Sequence, residues 1–274
     1  MHERQDTEFV FGRNALLTYL ERMLSDAEED DQSDASSDLP EVVKVFIAEG
    51  LERDSRLQKI DQASRRLRLP VAVCDKRKLD MMLGRDARHQ GVAGQLSAVK
   101  QLDLREFLEK LKGGKRDLEG NPVVVLLDGI EDPHNLGAIV RVAEASGAKA
   151  VLVPQRRSAQ VSGTVGKVSA GALAFIPIVK VHNLVNAIEE LKKQGFWVAG
   201  LDVRDGQDLF SSDLMRPLAI AVGAEGKGLS RLVSEHCDFN VKIPMLGRTE
   251  SLNASVACGI VLFEVVRQKL SLKT

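Results

Sequence analysis

The stretch "LLDGIEDPHNLGAIVRVAEASGA", residues 126–148, reads as a strand, a polar turn and a helix, yet it contains no G-x-G-x-x-G. A dinucleotide-binding domain needs those glycines for its tight turn and for backbone approach to a pyrophosphate, so a nicotinamide-dependent oxidoreductase is disfavoured. Cysteine is scarce: Cys74, Cys237 and Cys258 stand apart, with no C-x-x-C, which argues against a disulfide framework and a structural zinc site. Aromatic residues make up 4% of the chain, with one Trp, one Tyr and nine Phe, too few for extensive base stacking on single strands. The formal net charge is −1, so no global basic field announces a polyanionic partner, and any such surface must be local. No apolar run reaches membrane-spanning length, and the opening "MHERQDTEFVFGR" is charged rather than signal-like. The expectation is a cytoplasmic protein without a membrane partner.

What is present is ample apolar sequence, 44% of 274 residues, enough for two modest domains. Residues 1–100 read as a small α/β unit. "GRNALLTYLERML" has helical spacing, "VVKVFIAEG", "PVAVCD" and "QGVAGQLSAV" read as strands, and "RDSRLQKIDQASRRLRL" and "KRKLDMMLG" as helices. Residues 26–39 are acidic without a basic residue and are expected to form a solvated loop. Between Glu52 and Arg88, eleven Lys or Arg face six Asp or Glu. That excess suits either a solvated helix face or a surface for phosphates. Residues 101–121, with a short helical pattern, Gly113-Gly114 and a polar run, read as a linker.

From residue 122 to 274 strands and helices alternate. The strands "VVVLLDG", "AVLVP", "FIPIVKV", "FWVAGLDV", "PLAIAVG" and "FNVKIPM" are apolar on both faces, which predicts a mostly parallel sheet covered by helices on both sides. Ligands of such sheets sit at the carboxyl ends of strands. Three loops there are unusually polar or glycine-rich. The first carries Asp132, His134 and Asn135, any of which could serve the helix start, while Arg141 follows within the helix beside small residues. His134 with Asp132 does not make a metal site, and none is expected. The second, "VGAEGKGLS", sets Glu225 among three glycines, which serve a tight turn or the close approach of a ligand. The third, "IPMLGRTESLNASVACG", places Ser251 as an N-cap candidate, with Asn253 and Ser255 in a helix that is otherwise apolar.

Taken together and in order, "DPHNLGAIVR", "GAEGKGLS" and "IPMLGRTESLNASVA" resemble the three motifs of the SpoU family of RNA 2′-O-ribose methyltransferases, a likeness that spans residues 123–270. The amino-terminal "FVFGRNALL" and "HQGVAG" resemble the small ribosomal-protein-like RNA-binding domain of some members, and this two-domain form is most similar to those that methylate a guanosine of 23S rRNA. The resemblance implies a trefoil-knotted SPOUT domain, a homodimer with its site near the subunit interface, and S-adenosylmethionine held by Leu201, Gly223, Ile243, Met245 and Leu252. It carries the catalytic positions to Asn135, Arg141, Glu225, Ser251 and Asn253. An arginine keeps its proton in proteins, so Arg141 is expected to hold a phosphate and stabilise a developing alkoxide rather than act as a base. Arg65, Arg66, Arg68 and, less directly, Arg13 are expected to meet RNA phosphates. The implied partner is 23S rRNA or a large-subunit assembly intermediate. A tRNA substrate, or an RNA-binding assembly protein without activity, are the alternatives. The acidic segment is longer than the resemblance predicts and is expected to point away from RNA.

Overall fold

The computed structural model describes residues 9–29, 40–52, 54–84, 87–97, 102–113, 121–156, 158–159, 163–169, 171–202 and 206–271. Its contacts divide the chain into two units, one of residues 1–100 with 161–175, the other of 101–160 with 176–274.

In the first unit the elements run β1 (Phe9–Phe11), α1 (Arg13–Glu29), β2 (Val42–Ala48), α2 (Ser55–Arg66), β3 (Val71–Cys74), α3 (Lys76–Leu83) and β4 (Val92–Leu96). The sheet order is β1-β4-β2-β3, antiparallel except for the parallel β2–β3 pair. Leu16, Tyr19 and Leu20 of α1 pack with Leu57, Ile60 and Ala63 of α2 over Val45 and Val92, so the helical stripes meet one face of the sheet. β1 is too short for alternation to betray it; its pairing with β4 makes it a strand. The acidic segment departs from expectation at its start. α1 runs on to Glu29, with Asp26 paired to Arg22 one turn back, while residues 30–39 lie outside the described residues.

The second unit runs β5 (Leu102–Asp103), α4 (Leu104–Gly113), β6 (Val123–Asp128), α5 (Pro133–Ala145), β7 (Ala150–Pro154), then α6 (Gly163–Ser169), which clusters with the first unit. It resumes with β8 (Ile178–Val181), α7 (Leu184–Lys193), β9 (Trp197–Leu201), β10 (Gln207–Asp208), β11 (Leu218–Gly223), α8 (Arg231–Glu235), β12 (Phe239–Lys242) and α9 (Ala254–Ser271). Its sheet has the order β10-β12-β9-β11-β6-β7-β8-β5, and every pair is parallel. The parallel α/β class and the six long strands stand as the sequence predicts.

The linker assignment is corrected. Leu102–Asp103 pairs with β8, and Phe107, Leu108 and Leu111 of α4 are buried against Val179, Leu184 and Ile188. The apolar stripe of α4 outweighs the Gly-Gly that follows it, and residues 114–120 lie outside the described residues.

The order of strands positions the site. From β6 the chain steps to β7 and β8 on one side. It then crosses to β9, and β11 later fills the place between β9 and β6. Connections leave β6 and β11 in opposite directions, so their carboxyl ends open a crevice at a topological switch point.

Candidate active site

Three loops enter that crevice, each held by local chemistry. Asp132 caps α5, its carboxylate accepting the His134 N–H at 2.9 Å, and Pro133 occupies the first helical position, where no donor is missed. This places Asn135 in the first turn, half-buried. After β11 the chain doubles back on itself through a bridge between Ala224 and Gly228. A Cβ on Gly223 would collide with the Gly228 backbone, so glycine is required there by close approach. The tight turn leaves Glu225 at its exposed tip.

The third loop corrects the sequence reading. The cap of α9 is Asn253 rather than Ser251: its Oδ1 accepts the Ser255 N–H at 3.0 Å and the Ser255 hydroxyl at 2.6 Å. Asn253 therefore stands at the helix start and not inside it. That cap fixes the orientation of the amide, because the oxygen must face the Ser255 N–H. The Nδ2 then points the other way, donating to Asn135 Oδ1 at 2.9 Å and to Glu225 Oε2 at 3.1 Å. Both hydrogens and both lone pairs of Asn253 are used. Among the described residues Asn135 keeps a free Nδ2 donor, and Glu225 a second oxygen to accept. One residue from each motif thus meets at a single point, Asn135 lying 118 residues and Glu225 28 residues from Asn253 in sequence.

Beside this cluster lies a cavity of about 370 Å³, within the range of roughly 300–1,000 Å³ common for small-ligand sites. Leu201, Gly223, Glu225, Ser251 and Leu252 line it, as do Asp202, Lys227, Glu250 and Ala254. Ile243 and Met245 are half-buried on the same loop but are not among its lining residues. Asp202 and Glu250 were missed in the sequence, although Asp202 follows the last residue of β9, where the carboxyl-end rule points.

Arg141 is not drawn into this cavity. It lies six residues beyond Asn135 on α5, about 240° around the helix, and is exposed with no hydrogen bond or ion pair among the described residues. Cysteine offers no nucleophile here, since burial pushes the thiols of Cys237 and Cys258 up to about 12.

The basic residues of the first unit separate into two groups. Arg65 is tied to Asp61 at 2.8 Å, and with Arg66 and the left-handed Arg68 it stands at the carboxyl end of α2, where cations complement the helix dipole. Arg13 lies instead at the amino end of α2, held by Asp54 at 2.6 Å and by the Gln90 carbonyl. Hydrogen bonds from the Leu57 N–H and from Arg13 hold the Asp54 carboxyl below the usual carboxylate range. Arg13 shares an open cleft of about 610 Å³ with Arg56, Lys76 and Arg88, none of which was singled out in the sequence. Below the cleft His89 is buried. Its Nδ1 accepts the Gly91 N–H at 3.0 Å, which leaves Nε2 facing Asp80 at 3.0 Å.

A parallel sheet opened at its switch point, with a glycine loop and a polar helix start converging on a small-ligand cavity, defines an α/β enzyme whose cofactor and substrate meet at those loops. The match to known proteins makes the class specific. Residues 122–263 match the model of the SpoU rRNA methylase family, and residues 35–102 match that of the RNA 2′-O ribose methyltransferase substrate-binding domain. The chain belongs to the SpoU rRNA methylase family, a family of RNA methyltransferases. A Staphylococcus haemolyticus protein named for the TrmH family of tRNA/rRNA methyltransferases is 43% identical over 226 residues, 82% of this chain and 88% of the relative. Two solved structures share the fold. The SpoU methyltransferase AviRb of Streptomyces viridochromogenes, crystallised with AdoMet, has a TM-score of 0.68 at 23% identity over 97% of this chain and 91% of that one. An AdoMet-bound rRNA methyltransferase of Sinorhizobium meliloti has a TM-score of 0.66 at 19% identity, over 96% and 88%.

Proposed function

We propose that the protein transfers a methyl group from S-adenosylmethionine to a ribose 2′-hydroxyl of structured RNA, a guanosine of 23S rRNA. The observation that carries this reading is the hydrogen-bonded meeting of Asn135, Glu225 and Asn253 at the edge of a cofactor-sized cavity. The cavity suits the cofactor's chemistry. Leu201, Val222 and Leu252 offer apolar surface for an adenine, and Asp202, Glu225 and Glu250 bring carboxylates toward a cationic sulfonium and amine. When bound, S-adenosylmethionine supplies an electrophilic methyl group. The chain's own residues must align the hydroxyl and stabilise its oxygen as the proton leaves. Asn135, whose Nδ2 has no partner among the described residues, orients the ribose; Glu225 accepts from the ligand; Ser251 lines the cavity beside them. Asn253, with no free valence, is a positioning residue.

Arg141 completes the site from a second copy of the chain. On α9, Val256, Phe263 and Leu270 recur at intervals of seven, exposed by 50%, 48% and 59%, an apolar line on a helix whose other face is already packed. A homodimer that covers this line brings a partner's exposed arginine toward a cavity that has none among the described residues lining it. Binding of S-adenosylmethionine but not NAD, measured by calorimetry, supports the reading; the reverse result removes it. We also propose a cytoplasmic location, where such RNA substrates are found. Among the described residues no helix is long and apolar enough to cross a membrane.

For the first unit, phosphate contact falls to Arg13, Arg56, Lys76 and Arg88 rather than to the carboxyl end of α2. Joint replacement of Arg56, Lys76 and Arg88 by alanine is expected to weaken RNA binding and to flatten its salt dependence by about one unit of log–log slope per lost contact. The same change at Arg65, Arg66 and Arg68 should leave the slope nearly intact. Binding measured between 50 and 200 mM salt, about the range where such slopes are read, checks both.

A further inference from the structure

A second cavity, of about 660 Å³, opens at the carboxyl ends of β6, β7 and β11. It shares Ala224, Glu225, Lys227 and Gly228 with the cofactor cavity, so the glycine loop is the wall between them. Its lining includes an apolar set, Pro154, Leu184, Val185 and Leu232, of which Leu232 is 53% exposed. The polar groups at its rim are available. The side chains of Glu131, Arg156 and Lys227 have no hydrogen bond or ion pair among the described residues. Asn183 spends its Oδ1 on capping α7, accepting Val185 N–H at 2.8 Å, which leaves its Nδ2 free to donate. Asp128 is already committed on one oxygen, which accepts the Ser230 N–H at 2.6 Å.

We infer that this cavity holds the base of the target nucleotide, flipped out of the RNA, and that Glu131 reads its hydrogen-bonding edge. The two cavities share the glycine loop as a wall, so a nucleotide whose base is extruded into the larger one brings its ribose to the edge of the cofactor cavity. The apolar set accepts a base face, and free cations at the rim accept the flanking phosphates. A carboxylate discriminates among bases by what it cannot tolerate. Uracil and adenine each place an acceptor lone pair beside their edge donor, whereas guanine offers N1–H and N2–H side by side. Glu131 therefore selects guanine, and Arg156 and Lys227 hold the phosphates.

This inference rests on the methyltransferase reading, and the test separates the two. Unmodified 23S rRNA transcript is incubated with the full-length wild-type protein and S-adenosylmethionine, and the 2′-O-methyl position is mapped. Absence of any methylation defeats the functional reading itself, and this inference with it. With a site mapped, Glu131→Gln is expected to lower kcat/KM by roughly 5- to 150-fold, the discrimination of one bidentate base contact, while the Kd for S-adenosylmethionine stays unchanged. Inosine at the target position, lacking the N2 amine, should slow the wild type to the rate of the variant and should cost the variant little more. The assignment is overturned by a mapped nucleotide other than guanosine, by a Glu131→Gln enzyme within twofold of wild type, or by losses from variant and inosine that simply multiply.

Discussion

Replacing Arg141 by alanine lowers kcat by roughly 10²- to 10³-fold, the cost of removing one fixed donor from a developing oxyanion, while S-adenosylmethionine affinity changes little. The split follows from where Arg141 sits: exposed on α5, outside the lining of the cofactor cavity. Lysine at this position keeps a charge but not the planar fork, so Arg141→Lys is expected to retain only part of kcat. The sharper form of the experiment mixes two inactive proteins. Asn135 meets Asn253 beside the cavity while Arg141 lies about 240° away around the same helix, so the proposed dimeric site takes each from a different copy. Unfolding and refolding Arg141→Ala together with Asn135→Ala then creates mixed dimers with one intact site, and activity should return to about a quarter of wild type for a statistical mixture. A site built from one chain recovers nothing on mixing. A collapse of cofactor affinity in Arg141→Ala would equally contradict the assigned role.

The second large effect comes from the amide that joins the three motifs. Asn253→Asp is nearly isosteric and remains a good N-cap, so α9 should start where it does and Tm should change little. The two donors to Asn135 and Glu225 disappear, however, and a carboxylate is set against the Glu225 oxygen that Nδ2 now contacts at 3.1 Å. Two carboxylates at that distance repel. Asn135 and Glu225 lose their fixed positions, and kcat/KM is expected to fall by roughly 10- to 100-fold. An Asn253→Asp enzyme with wild-type rate would remove Asn253 from the positioning of the site, as would a loss of rate matched by a loss of Tm.

How much of this was legible in the sequence depends on how local the determining physics is. Strands apolar on both faces, such as Val123–Asp128 and Leu218–Gly223, declare a parallel sheet by composition alone, and β/α alternation supplies the rest. The motif order gave the loops that meet at the site. What lay beyond reach was non-local. Ser251 and Asn253 are equally plausible caps when only the helix start is considered; the choice of Asn253 is made by Asn135 and Glu225, which no spacing rule connects to it. The β5–α4 segment was hidden for a similar reason, since Phe107, Leu108 and Leu111 gain their meaning from Val179 and Ile188 across the fold. In the first unit the count of basic residues was informative, but folding placed Arg13 with Arg56, Lys76 and Arg88 at one end of α2 and left Arg65, Arg66 and Arg68 at the other.

Methyl transfer to the ribose is the central step, and isotope transfer measures it directly. The protein is incubated with methyl-labelled S-adenosylmethionine and unmodified 23S rRNA transcript, with tRNA in a parallel reaction, and the labelled RNA is hydrolysed in alkali. Label confined to an alkali-resistant dinucleotide of 23S rRNA, at a single guanosine, with Arg141→Ala inactive beside it, is the predicted result. Label on a base, label in tRNA alone, or tight RNA and cofactor binding with no transfer would contradict it.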